Sequence, residues 1–208
     1  MAGNALRCMA KYLHDNGYAA GEEIAIETAG GVKQVRVYTT DGLVTSACVD
    51  MGRASLDMTP HHIKLPAGPV VDAPLTVAGA DWRITCVDMG NPHCVVFVPR
   101  TDAVDIAHIG PAFENAEVFP ERINTEFVRV VNRRTVKMRV WERGSGETMA
   151  CGTGACAAVA AAIANGLCDS DCDVSVRCAG GELIVHYSDE TVTLTGDTRL
   201  VYTGEIEY

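Results

Sequence analysis

The chain has 208 residues, 48 % of them apolar, enough for one generous domain or two small ones. Its 17 basic residues against 27 acidic ones leave a net charge of −10, which repels nucleic-acid backbones and anionic membranes at range. No stretch approaches the ~20 apolar residues a membrane helix needs, and the opening MAGNALRCMAKYLHD lacks the basic start, apolar run and cleavage site of a secretory signal. No nucleic-acid or membrane partner is expected, and the expected compartment is the cytoplasm.

In chain order, Asn4 to Asn16 reads as a helix with Leu6, Met9, Ala10 and Leu13 on one face and Asn16-Gly17 as its stop. EIAIET, VKQVRVYTT and LVTSACVDM follow as alternating runs separated by Gly30-Gly31 and Asp41-Gly42, which predicts an antiparallel meander. Residues 53–80 contain four prolines and read as loop. WRITCVDMG and HCVVFVP read as strands, Asp105 to Asn115 as a short helix, and TEFVRVVN and TVKMRVWERG as two strands joined by an Arg133-Arg134 turn. A helix of small residues runs from about Gly154 to Asn165 and stops at Gly166. DVSVRCA, ELIVHYS, TVTLTG and TRLVYTGEIEY read as four closing strands. This order predicts an α+β fold with helices packed on antiparallel sheets.

Nine cysteines is a high count and an odd one. Most sit inside apolar runs such as PHCVVFV and GACAAVAAA, where a free thiol behaves as a small core hydrophobe in a reduced protein. The spacing of Cys168, Cys172 and Cys178 lacks a C-x-x-C knuckle, so no metal is expected there. Cys151 alone has neighbours that point to chemistry.

The chain also repeats itself. Ala2-Gly3-Asn4-Ala5 aligns with Cys151-Gly152-Thr153-Gly154, each a small-Gly-polar-small start to a helix followed by a β meander. Two similar half-molecules are the natural reading.

Residues 142–162, ERGSGETMACGTGACAAVAAA, carry most of the chemistry. Cys151-Gly152-Thr153-Gly154 leads into a helix whose free N–H groups accept a carboxylate or phosphate without a lysine. The same terminus is expected to lower the pKa of a thiol placed on it. Asn91 and His93, in the turn Met89-Gly90-Asn91-Pro92-His93, add an amide and an imidazole. Asn124 adds another amide in RINTEF, and Glu142-Arg143 a carboxylate and a guanidinium. Such a set suits a small zwitterion: Arg143 and helix N–H groups for carboxylates, Asn carbonyls and Glu142 for ammonium groups.

GNALRC at 3–8, GNPHCV at 90–95, RINTEF at 122–127 and ERGSGETMACGTGACA at 142–157 resemble, in order, the signature segments of the diaminopimelate epimerase family. The resemblance implies a pyridoxal-independent isomerase, with no cofactor, that inverts LL-diaminopimelate to the meso isomer for lysine and peptidoglycan synthesis. It implies two pseudo-symmetric domains, each a curled, mostly antiparallel sheet around a central helix. By that likeness residues 1–48 plus 197–208 form an incomplete first domain and residues 49–196 the second. Inversion takes an acid and a base on opposite faces of one carbon. In the family both are cysteines, and Cys151 matches one of them. His93 and Glu142 match positions that tune the thiols. Gly3, Asn4, Asn91, Asn124, Glu142, Arg143, Gly152 and Thr153 match substrate ligands, and Tyr202 a tyrosine of a homodimer interface.

The position matching the other catalytic cysteine is Ala2, whose methyl group cannot move a proton; Cys8 lies almost two helical turns further on. The family carries a segment before this motif that the chain lacks. The expectation is therefore a fragment or altered start of a longer product that does not complete two-base epimerisation, with sheet edges that favour aggregation or tight dimerisation. A genuinely short homologue, another cofactor-independent racemase such as a proline racemase, a catalytically dead amino-acid-binding protein, and a redox or metal protein are the competing readings.

Overall fold

The structure, a computed structural model, describes residues 3–66 and 68–206; Ala2 lies outside them. Helix α1 (Gly3–Asp15) leads into a meander of β1 (Glu23–Thr28), β2 (Gly31–Thr40) and β3 (Leu43–Gly52). Strands β4 (Ala73–Val77), β5 (Ala80–Asp88) and β6 (Pro92–Phe97) follow, then α2 (Ile106–Glu114), capped by the Asp105 carboxylate on the His108 N–H. The chain continues through β7 (Asn124–Asn132), β8 (Thr135–Glu142) and the short β9 (Gly146–Thr148). Helix α3 (Gly152–Ala164) precedes a second meander, β10 (Asp173–Cys178), β11 (Gly181–Tyr187) and β12 (Val192–Asp197).

Among the described residues one sheet of 12 strands runs in the order β1-β2-β3-β12-β11-β10-β8-β7-β6-β5-β4, with β9 attached to β8. All pairings are antiparallel except β6 with β7 and β8 with β10. The fold is α+β. The internal repeat is visible as helix plus three-stranded meander, α1-β1-β2-β3 and α3-β10-β11-β12, joined where β3 pairs with β12.

Helix α3 occupies the centre because it has no polar face: every residue from Gly152 to Ala162 is buried. It packs on β5 to β8 on one side and on β10 to β12 on the other. Small side chains let strands approach on all sides. Helix α1 is amphipathic and lies on β2 and β3 with Leu6 and Ala10 inward, whereas Met9 of the expected inner face is largely exposed. A second cluster surrounds α2, where Phe113, Phe127 and Trp82 meet edge to face.

Three expectations need correction. The described part of TRLVYTGEIEY, residues 198–206, forms no strand: it lies beyond β12, whose two edges are already taken by β3 and β11. Alternation alone does not make a strand without a free edge to join. The proline-rich stretch does contain a strand, β4, which tolerates Pro74 because it is an edge paired only with β5. Finally, α3 begins two residues early, at Gly152, because Cys151 caps it.

Candidate active site

Cys151 is extended (φ −126°, ψ 120°), and its Sγ accepts the Gly154 N–H at 3.4 Å, so a thiol serves as the N-cap of α3. Gly152 lies hard against β12 and α1. A Cβ there would stand 2.9 Å from Leu194 Cδ2, 3.7 Å from Asn4 Oδ1 and 3.9 Å from Gly3 Cα. The first residues of α1 and α3 therefore abut, and two helix N-termini converge at one place. Asn4 is held there by Arg7, one turn on, whose Nη2 donates to Asn4 Oδ1 at 3.0 Å.

The turn before β6 brings the next groups. Gly90, at φ +84°, lets the chain reverse and turns Asn91 toward α3. His93 on β6 and Glu126 on β7 are both fully buried, with His93 Nδ1 2.7 Å from Glu126 Oε1. His93 Nε2 lies 3.2 Å from Asn91 Oδ1, and Asn91 Nδ2 donates to Thr153 Oγ1 at 3.5 Å. Thr153 Oγ1 is in turn 3.5 Å from Cys151 Sγ. A continuous chain of contacts thus runs from Glu126 through His93, Asn91 and Thr153 to the thiol.

Glu142 and Arg143, in the turn from β8 to β9, form a second group. Asn124 joins it to the first, donating from Nδ2 to the Pro92 carbonyl at 2.8 Å and accepting the Arg143 N–H at 2.9 Å. Glu142 accepts the Thr148 hydroxyl, and Arg143 Nη1 donates to the Glu121 carbonyl at 3.0 Å. The buried Glu114 clamps this turn from α2: its Oε1 accepts the Gly144 N–H and Arg122 Nη1, and its Oε2 accepts the Trp141 indole N–H. Burial opposes the charged form of Glu114, yet the Trp141 and Gly144 donors and Arg122 hold its carboxyl below the usual range.

The thiol does not follow the sequence expectation. Burial first, then the negative charge of Glu126, push Cys151 up to about 12; Glu142 adds to this, while the Thr153 and Gly154 donors pull the other way. The helix terminus supplies its donor, but desolvation outweighs it. Cys151 therefore rests as a thiol.

The structure brings Gly3, Asn4, Asn91, His93, Cys151, Gly152 and Thr153 to one place, with Asn124, Glu142 and Arg143 tied to it. Tyr202 stands apart and is exposed, in residues 198–206. All nine cysteines are free thiols. No helix among the described residues is long and apolar enough to cross a membrane, and no group of three or more His, Cys, Asp or Glu side chains there is arranged to hold a metal ion. Sequence reasoning missed Arg7, Glu114 and Glu126. Glu126 had a signal: it shares a strand face with Val128 and Val130, and a carboxylate in an apolar alternation needs a buried partner.

A cavity of about 580 Å³ lies between α1 and the β1–β2 hairpin, with Met9, Met51 and Met89 among its lining, and reaches Gly90 beside Asn91. A smaller one of about 200 Å³ is lined by Asn4, Arg7, Ala150 and Asp197 and opens beside the two helix N-termini.

A family model described as diaminopimelate epimerase matches residues 85–207. A diaminopimelate epimerase of Moorella thermoacetica is 44 % identical over 99 % of this chain and 74 % of its own length. That of Pelotomaculum thermopropionicum is also 44 % identical, over 100 % of this chain and 74 % of its own. The chain thus spans about three quarters of these relatives. Among solved structures, a probable proline racemase from Agrobacterium radiobacter K84 with bound carbonate aligns with a TM-score of 0.69 at 14 % identity, over 95 % of this chain and 65 % of that one. A hydroxyproline epimerase from Agrobacterium vitis aligns with a TM-score of 0.65 at 16 % identity, over 91 % and 61 %. At such identities the structural likeness establishes the fold alone.

Proposed function

The chain belongs to the diaminopimelate epimerase family, a family of isomerases, and from that premise we propose that its site acts on the α-carbon of diaminopimelate, with Cys151 as the proton carrier on one face and no pyridoxal cofactor. The observation that carries the reading is the meeting of two helix N-termini beside a capping thiol, Gly3-Asn4 against Cys151-Gly152-Thr153. N–H groups of the two helix starts would take the α-carboxylate, as such termini take anions generally. Arg143 would take the distal carboxylate, and Asn4, Asn91 and Glu142 the ammonium groups. Asn124 would hold the Pro92 and Arg143 segments at the right distance from each other. His93 and Glu142 would tune the thiol. In this reading residues 1–48 plus 197–208 form one half and residues 49–196 the other, with the β3–β12 pairing as their seam.

Inversion of LL- to meso-diaminopimelate needs a second proton carrier on the opposite face. Ala2 stands where the family has that cysteine. The proposed activity of the chain is accordingly one-sided: exchange of the α-proton on the Cys151 face, without inversion. Ala2 also favours a second reading, an amino-acid-binding protein without turnover. Proton NMR in D₂O, with LL- and meso-diaminopimelate supplied separately, distinguishes them. Deuterium entering one isomer only, lost in Cys151→Ser and converted to inversion in Ala2→Cys, supports the first reading. Binding without exchange, in a folded sample, selects the second. Exchange that persists in Cys151→Ser removes Cys151 from the mechanism.

We also propose a homodimer in which the exposed Leu200, Val201, Tyr202 and Ile206 meet a second copy. Light scattering after Tyr202→Asp tests it; an unchanged mass refutes that surface.

A further inference from the structure

His93 matches a family tuning position, and its ring is held by the carboxylate of Glu126, the fifth residue of RINTEF. The proton inventory follows from the donors. Asn91 Nδ2 donates to Thr153 Oγ1, so Asn91 turns its Oδ1 toward His93 Nε2. Oδ1 can only accept, so Nε2 carries a hydrogen. The 2.7 Å contact between His93 Nδ1 and Glu126 Oε1 then holds a second hydrogen, on one atom or the other. Two hydrogens shared over the pair leave it neutral overall, which suits two side chains that are both fully buried. Glu126 Oε2 has no partner among the described residues.

The polarity continues outward. Because Thr153 Oγ1 accepts from Asn91, its own hydroxyl hydrogen is free to turn to Cys151 Sγ, 3.5 Å away. With the Gly154 N–H this gives the sulfur two donors, the arrangement that stabilises a thiolate as it forms. Reverse the Asn91 amide, and its oxygen competes for the Thr153 hydroxyl. What prevents the reversal is Nε2–H, and what fixes that hydrogen is Glu126.

We propose that Glu126 is a positioning residue for Cys151: by anchoring His93 through Nδ1 it sets the direction of the chain through Asn91 and Thr153, so that the Thr153 hydroxyl donates to the sulfur. The proposal rests on the reading of Cys151 as proton carrier. Glu126 touches neither the substrate nor the reacting atoms.

The groups that surround the thiol are Glu126 on β7, Glu142 on β8, His93 on β6 through the chain, and Thr153 and Cys156 on α3. A direct effect of Glu126 charge must therefore be separated from the effect through Thr153. The experiment is the alkylation rate of Cys151, followed by peptide mass mapping at alkaline pH, in Glu126→Leu, Glu126→Gln, Thr153→Val and the Glu126→Leu/Thr153→Val pair. One hydrogen bond to a developing thiolate is worth about tenfold in rate. Glu126→Leu should slow alkylation by up to that factor, the loss of its charge acting in the opposite sense, while Glu126→Gln, whose amide can still donate to Nδ1, should restore most of the rate. In the Thr153→Val background, where only the loss of the Glu126 charge acts, Glu126→Leu should no longer slow alkylation and should leave the rate unchanged or faster. An equal effect of Glu126→Leu in both backgrounds means charge alone and overturns the proposal. If Glu126→Leu does not fold, the ¹⁵N-labelled histidine spectrum of the wild-type protein decides instead. A proton bound to His93 Nε2 supports the chain, and a bare Nε2 overturns it. Both readouts are independent of turnover, so loss of α-proton exchange would remove the reading of Cys151 without touching the role of Glu126.

Discussion

Replacement of Gly154 by alanine sets two forces against each other at one atom. Gly154 is the third residue of α3, and by helix propensity alone Gly154→Ala would stabilise the chain by up to about 1 kcal/mol. The structure opposes this. The new Cβ would stand 2.6 Å from Glu126 Oε1, 3.2 Å from Cys151 Cβ and 3.3 Å from Glu126 Cδ. An oxygen at the end of an exposed glutamate would swing away. This one is fully buried and bonded to His93 at 2.7 Å, so it cannot move without breaking that bond. Loss of a buried, charge-assisted hydrogen bond costs about 1.5–3 kcal/mol, and overpacking costs about 1–3 kcal/mol. After the propensity gain the net expected loss is about 1.5–5 kcal/mol.

Urea unfolding followed by circular dichroism reads this directly, because a loss of about 2 kcal/mol lowers the midpoint by roughly 1 M. A cycle with Glu126→Ala tests the cause. Once the carboxylate is gone the Cβ has room, so Gly154→Ala should become neutral or stabilising, with a coupling of about 1.5–6 kcal/mol. A Gly154→Ala variant as stable as the wild type, or one whose cost is the same without Glu126, would show that the oxygen is not held as described.

Three other outcomes are expected. Glu114 is held below its unfolded value, so its contribution to stability is present above the ordinary carboxylate pKa of 4.5 and is lost as pH falls through the folded value; the gap in urea midpoint between wild type and Glu114→Gln should be full at neutral pH and shrink as the medium is acidified below about pH 4.5. Cys151, pushed up to about 12, should alkylate about tenfold faster per pH unit across the alkaline range, and a plateau near neutral pH would refute the burial argument. Arg7 is buried with Nε and Nη1 unpartnered among the described residues, so Arg7→Met should change stability by less than about 1 kcal/mol while weakening diaminopimelate binding through Asn4, as calorimetry can show.

The parts of the fold set by local pattern were legible in the sequence. The 3.6-residue period of α1, the all-apolar run of α3 and the glycine-marked turns of both meanders led to the observed elements, and the repeated small-Gly-polar-small start placed two helix N-termini in one molecule. The rest depended on neighbours. The segment after β12 alternates like a strand but finds both sides of β12 taken, while β4 carries Pro74 and is a strand only because β5 offers it one side. The motifs likewise gave Cys151, His93, Asn91 and the Glu142-Arg143 turn. They did not give Glu126 or Glu114, whose roles arise from partners 33 and between 8 and 30 residues away in sequence.

The thiol shows most plainly why position on an element does not fix chemistry. A helix N-terminus offers Cys151 a partial positive charge and the Gly154 N–H, which together favour a thiolate by at most ~2 kcal/mol. Against this stand near-complete removal from water and two carboxylates, and the balance leaves a proton on sulfur. A resting thiol can return a proton to a carbanion on its own face but cannot take the first one. The other half of an inversion must therefore start from a group that is already a base on the opposite face, and on the reading proposed above that is position 2, an alanine in this sequence. It follows that exchange by the chain as it stands should rise with pH along with the Cys151 thiolate. Ala2→Cys should convert that one-sided exchange to inversion by supplying the missing base, not by altering Cys151.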